Sequence, residues 1–265
     1  MTLEEYMRAE EHEKPLDHIP MDGGMCAIFR TIGCIGDSLS SGEFESMNGE
    51  GKRGYHDFYE YSWGQYMARH CGLTAYNFSK GGMTAKEYWD SFANAKGFWD
   101  PTLLCQAYII ALGVNDLLNK GQEMGSVADI CVEDYTKNAD TFAGYYARII
   151  QRLKSMQPHA RFFLVTMPRC GDSKDEKKQA HAALLHKMAE LFDYTYVIDL
   201  YRDGPVYDAE FKRRYYLGGH LNPAGYLLTA RMFESYIDYY VRHNPEDFAQ
   251  VPFIGKGYHN VAHKW

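Results

Sequence analysis

Four short stretches carry side chains suited to one reaction. In GCIGDSLSSGEF, residues 33–44, an apolar run ends in small residues and presents Asp37 and Ser38 at a turn. Gly81-Gly82, Asn115 and His220 lie beyond later apolar runs of the same kind. A serine hydroxyl is a weak nucleophile until a base removes its proton, and histidine is the usual base. Attack on a carbonyl then leaves negative charge on its oxygen, which a glycine N–H and an asparagine amide are suited to stabilise. The chemistry these residue types point to is acyl transfer.

Bringing such distant segments together requires a scaffold with one shared edge. Residues 26–36, 73–79, 107–113, 160–168 and 195–201 read as five buried strands. Between and after them, residues 60–72, 84–95, 133–156, 175–192 and 223–242 carry apolar residues at helical spacing. Thr84 with Glu87 three residues on has the spacing of a capping box, and Gly72 marks a helix end. This alternation predicts an α/β fold, a parallel sheet with helices on both faces, whose sites form outside the carboxyl ends of the strands. Ser38 then follows the first strand, Gly82 the second, Asn115 the third, and His220 lies after the fifth.

In order and spacing the same blocks resemble the SGNH hydrolases, the GDSL esterase/lipase family. Gly36-Asp37-Ser38-Leu39-Ser40 is similar to the GDSL block, and Asn77-Phe78-Ser79-Lys80-Gly81-Gly82 to the second. Gly113-Val114-Asn115-Asp116 matches the G-x-N-D block, and His220-Leu221-Asn222-Pro223 the last. The resemblance runs over residues 30–240. It implies a three-layer flavodoxin-like SGNH hydrolase fold with a five-stranded parallel sheet flanked by helices. It makes Ser38 the nucleophile and His220 the base. The N–H groups of Ser38 and Gly82 and the Asn115 amide become the oxyanion hole. Asp37 and Asp116 are expected to brace the structure. The implied activity is hydrolysis of carboxylic esters through an acyl-enzyme, with no cofactor or metal, on small acyl esters and foremost acetyl esters of carbohydrates. The α/β-hydrolase elbow G-x-S-x-G does not fit, because Ser occupies position 40.

One position departs from the family. Its acid ordinarily stands three residues before the histidine, and here that residue is Leu217. Such an acid fixes the imidazole tautomer and stabilises the imidazolium. A serine–histidine dyad, a backbone carbonyl or another carboxylate must take its place. Asp199, Asp203, Asp208 and Glu210 lie nearest in sequence, with nothing to rank them. Two other readings keep the same blocks: a binding protein that has lost turnover along with the acid, and a thioesterase or acyltransferase.

Composition narrows the field further. The 265 residues suffice for one domain, spanning 1–265, with an N-terminal arm over 1–25 and a C-terminal tail over 244–265. A formal charge of −7 disfavours nucleic acid as a partner. Lys212-Arg213-Arg214 reads as a solvated turn. No apolar run reaches the ~18 residues of a membrane span. The acidic, polar start lacks the features of a secretory signal. Six scattered cysteines read as reduced thiols, and a cytoplasmic location is expected. His259 and His263 are four apart, but Asn260 stands where a zinc peptidase needs glutamate, so they read as plain tail.

Overall fold

Apolar runs buried on both sides favour parallel pairing, because helices must cover each face. In the computed structural model, which describes residues 10–265, the five runs become β1 (Thr31–Gly36), β4 (Thr74–Ser79), β5 (Ala107–Ala111), β6 (Arg161–Val165) and β7 (Thr195–Ile198). They pair in parallel in the order β4-β1-β5-β6-β7. Counting only these strands, the order is 2-1-3-4-5, the flavodoxin-like arrangement, whose crevice opens between β1 and β5.

The period of two along each strand sorts the side chains into two cores. Ile32, Cys34, Ile109 and Phe163 join Trp63, Tyr226 and Phe233 on one face. Ile35, Tyr108, Ile110 and Phe162 join Tyr88, Tyr146 and Leu185 on the other. The first face is covered by α2 (Trp63–Cys71) and the long α7 (Pro223–His243). The second is covered by α3, α4 (Phe142–Met156) and α5 (Asp175–Ala189). Here α3 is a composite: an α turn Ala85–Glu87, a π turn Tyr88–Phe92 and an α turn Ala93–Ala95.

The structure departs from the sequence-based expectation at several points. The first strand starts at Thr31 rather than residue 26. Gly23 and Gly24 take positive φ, and Gly24–Ile28 forms a 3-10 turn whose Met25 N–H donates to Asp238 on α7. The helix expected from residue 133 begins at Phe142, where Thr141 accepts the Gly144 N–H. Lys212-Arg213-Arg214 lies in a helix, α6 (Ala209–Tyr215), where Arg213 and Arg214 both pair with Glu210. Two hairpins stand outside the main sheet: β2 (Glu43–Met47) with β3 (Arg53–Asp57), and β8 (Tyr216–Leu217) with β9 (His220–Leu221).

Part of the expected N-terminal arm, residues 1–9, lies outside the described residues. The rest packs on α7, where Arg242 forms a two-bonded pair with the Glu13 carboxylate at 2.6 and 2.8 Å. At the other end of the chain the Trp265 ring stacks on His159 at 4.0 Å. The six cysteines are free, and among the described residues no helix is long and apolar enough to cross a membrane.

Candidate active site

Strand register decides which loops meet. Gly36, the last residue of β1, pairs with Ser79 at the end of β4 and with Ala111 at the end of β5. The loops carrying Ser38, Gly82 and Asn115 therefore leave the sheet side by side. All three line one cleft of about 630 Å3 together with His220. The four residues expected from sequence are thus brought together.

Each block is held by local rules. Asp37 caps α1 (Ser38–Ser41) by accepting the Leu39 N–H at 3.0 Å, and Gly42 closes the turn at φ +78°. This sets Ser38 at the first position of a one-turn helix. Gly82 has φ +72°, a conformation that L side chains resist, so the turn after β4 requires it. Asn222 caps α7 through the Gly225 N–H, and Pro223 takes the first helical position, where its missing N–H costs nothing. His220 is fixed two residues upstream of that cap. Tyr226 on α7 ties the last block to the first, its hydroxyl donating to the Glu43 carbonyl at 2.8 Å and the Ser38 carbonyl at 3.4 Å.

The imidazole of His220 lies between two carboxylates. Glu45 Oε1 is 3.0 Å from Nδ1, and Glu43 Oε1 is 3.0 Å from Nε2. Both come from β2, where residues two apart share a face. Tyr55, opposite Glu45 on β3, sets its ring edge-on to His220 at 6.0 Å between centroids. Glu45 Oε1 also accepts the Gly219 N–H at 2.8 Å. A side chain at Gly219 would run into that oxygen, so the close approach depends on glycine there. Leu217, at the family's acid position, is exposed and sits across the β8–β9 hairpin from His220.

None of the four carboxylates near in sequence reaches the imidazole. Asp199 pairs with His186 at 2.7 Å and accepts the Thr166 hydroxyl. Asp203 is bound by Arg202 and the Tyr236 hydroxyl. Asp208 caps α6, and Glu210 holds its arginines. Sequence reasoning missed Glu45. The available signal was the polar–apolar–polar alternation of Glu43-Phe44-Glu45 just after the serine turn, leading into Asn48-Gly49.

Burial shapes the charges beneath the site. It pushes the Asp37 carboxyl up to about 6, against the opposing pull of the Leu39 N–H and of His220. Burial also raises Glu43. Asn115 directs its amide at Asp37 Oδ2 (3.3 Å) and the Met83 carbonyl (3.2 Å), and accepts from Asn119. Asp116 braces the neighbouring element, as expected: its Oδ1 accepts the Ala85 N–H at 2.7 Å at the start of α3.

Asp116 also makes stability depend on pH. Burial pushes it up to about 7, whereas an unfolded aspartate titrates near about 3.9. The folded state binds the proton more tightly, so this contribution is complete below the unfolded value and is lost as pH rises through about 7. Thermal unfolding midpoints are expected to fall as pH rises over that interval, and the fall should flatten in Asp116→Asn. An unchanged slope in the variant would assign the effect to other buried groups.

Sheet order, strand-end cleft and site chemistry define an α/β ester hydrolase of flavodoxin-like architecture. The chain belongs to the GDSL-like lipase/acylhydrolase family, whose model matches residues 34–228. Comparison with curated protein sequences gives no match. Among solved structures, the fold is similar to a family two carbohydrate esterase from Clostridium thermocellum in complex with cellohexaose. That likeness has a TM-score of 0.55 at 17% identity, covering 78% of this chain and 63% of that one. A Corynascus thermopiles (Myceliophthora fergusii) family 2 carbohydrate esterase with a carbohydrate-binding domain gives 0.54 at 15% identity, covering 81% and 67%. A possible lipase from Chitinophaga pinensis gives 0.51 at 17% identity, covering 77% and 96%.

Proposed function

We propose that the chain is a serine esterase that removes short acyl groups, acetyl foremost, from carbohydrate hydroxyls. The observation carrying this reading is the placement of Ser38 and His220 in one strand-end cleft with a carboxylate on the histidine's Nδ1. Ser38 Oγ attacks the ester carbonyl while His220 Nε2 takes its proton. Glu45 accepts the hydrogen bond of Nδ1–H and steadies the imidazolium, the task the family gives to the acid missing at Leu217. The N–H groups of Ser38 and Gly82 and the Asn115 amide receive the oxyanion. His220 returns its proton to the leaving alcohol, and water then releases the acyl group by the same route.

Glu43 has to leave Nε2 before Ser38 uses it. A carboxylate and an imidazole lone pair have no proton to share once both are deprotonated, so their contact holds only while one is protonated. A void of about 70 Å3, bordered by Asp37, Leu39, Val114, Met167 and Tyr207 of the cleft wall, supports a small acyl group. Carbohydrate as the acyl carrier is supported by the carbohydrate esterases among the structures whose fold this chain resembles.

The test is labelling and chain-length selectivity. A fluorophosphonate is expected to modify Ser38, located by peptide mass spectrometry. Turnover of p-nitrophenyl esters is expected to fall steeply beyond the shortest acyl chains, and acetylated xylo-oligosaccharides should release acetate. Labelling elsewhere, or a preference for long chains, would overturn the reading. Absence of both labelling and turnover would favour the non-catalytic alternative, with Glu43 holding the base permanently.

A further inference from the structure

A second cleft, of about 420 Å3, opens on the α3–α4 side of the molecule and shares no lining residue with the first. Its walls are Trp89, Trp99 and Tyr135, with Asp90, Asn94 and Arg152 beside them. Trp89 is the corner: its ring meets Trp99 edge-on at 6.0 Å and Tyr135 at 5.4 Å. All three rings are half-buried. Trp89 and Asp90 lie in the π turn of α3, a helix distortion that recurs at functional sites. Tyr88 and Phe92 of the same turn point into the core and anchor it. Asp90 and Asn94 are one helical turn apart and share a face.

The polar groups here are underused. Among the described residues, the Arg152 guanidinium donates one hydrogen bond, to the Tyr135 hydroxyl at 3.4 Å. Asp90 engages Lys86 through Oδ2 only. One acidic and one basic side chain leave the lining without net charge, which selects against an ionic ligand. Aromatic faces carry negative potential and accept the weakly positive C–H surface of a sugar ring. Carboxylate, amide and guanidinium match the hydroxyls around that ring's edge as acceptors and donors. The volume lies within the roughly 300–1,000 Å3 typical of small-molecule sites.

From this geometry we infer that the Trp89–Trp99–Tyr135 cleft is a carbohydrate-binding site, separate from the catalytic cleft, that seats neutral pyranose units of an oligosaccharide. It goes beyond the esterase reading and does not require it. Its position is useful to that reading, since α3 starts three residues after Gly82 and Trp89 lies four residues further on, roughly 6 Å of helical rise. A sugar chain held there would raise the local concentration of esters near Ser38 without adding a catalytic group.

The full chain is to be run by affinity electrophoresis through gels containing soluble xylan, mixed-linkage β-glucan or glucomannan. Wild type should be retarded in at least one gel. In Trp99→Ala and in Arg152→Gln the dissociation constant should rise at least about tenfold, with p-nitrophenyl acetate turnover unchanged. Arg152→Gln, at a partly exposed position, keeps the test valid if removing the tryptophan disturbs folding. No retardation in any gel would overturn the inference, and so would retardation that both variants retain. Retardation without ester turnover would instead count against the esterase reading alone.

Discussion

Glu45→Ala is expected to lower kcat by about 10⁴-fold while changing KM little, the loss seen when a serine hydrolase's histidine loses its carboxylate partner. The expectation follows from a 3.0 Å contact to Nδ1 by an oxygen that also accepts the Gly219 N–H. Without it nothing accepts from Nδ1 to fix the tautomer or offsets charge on that side of the ring when the imidazole takes the serine proton. Glu45→Gln should do nearly as badly, because an amide can donate to Nδ1 and stabilise the wrong tautomer. Glu45→Asp should recover part of the rate. Recovery by aspartate, with the acidic limb of the kcat/KM profile restored, separates proton chemistry from mere support of the β8–β9 turn. Single-substrate kinetics over a pH series checks this, and a loss below about tenfold would mean that some other group orients His220.

Ser38→Ala should cost more, about 10⁵–10⁶-fold in kcat, leaving only what bound substrate and oxyanion donors achieve with water. Folding should be untouched. The Ser38 backbone carbonyl contacts and the Asp37 cap, rather than the serine hydroxyl, hold α1 in place. The measurement is paired: turnover of p-nitrophenyl acetate and the thermal midpoint of the same sample. A midpoint equal to wild type with turnover abolished fits a nucleophile. Turnover within tenfold of wild type, roughly one RT-scaled decade, would remove Ser38 from the reaction.

The strand-end edge that gathers Ser38, Gly82, Asn115 and His220 is legible in sequence because each of its parts obeys a local rule. A short apolar run ended by glycine became β5, and the Thr84 cap fell where its spacing placed it. Asn222-Pro223 is a cap followed by the residue best suited to a first helical position. The carboxylate that meets His220 is not legible for the opposite reason. Glu45 lies 175 residues from His220, and their meeting depends on how a hairpin folds over the sheet edge. The β2–β3 hairpin is mostly polar, and its turn spans residues between Met47 and Arg53, so it lacks the dense apolar signal of the sheet strands. The first strand was read too long for a related cause. Residues 26–30 are as apolar as a strand, but the conformations of Gly23 and Gly24 turn the chain first.

Phe44 stands between the two carboxylates on β2 and points away from them. Its ring packs against Tyr226 at 5.4 Å, Tyr61 at 5.9 Å and Phe58 at 6.0 Å. Strand faces alternate residue by residue, so a slip of one position would exchange them, burying both glutamates and laying an aromatic ring against the imidazole. The placement of both carboxylates against the imidazole is therefore governed by how an oily side chain is seated. In this chain hydrophobic registry brings a carboxylate to the histidine from across the cleft, where the residue three positions upstream is a leucine.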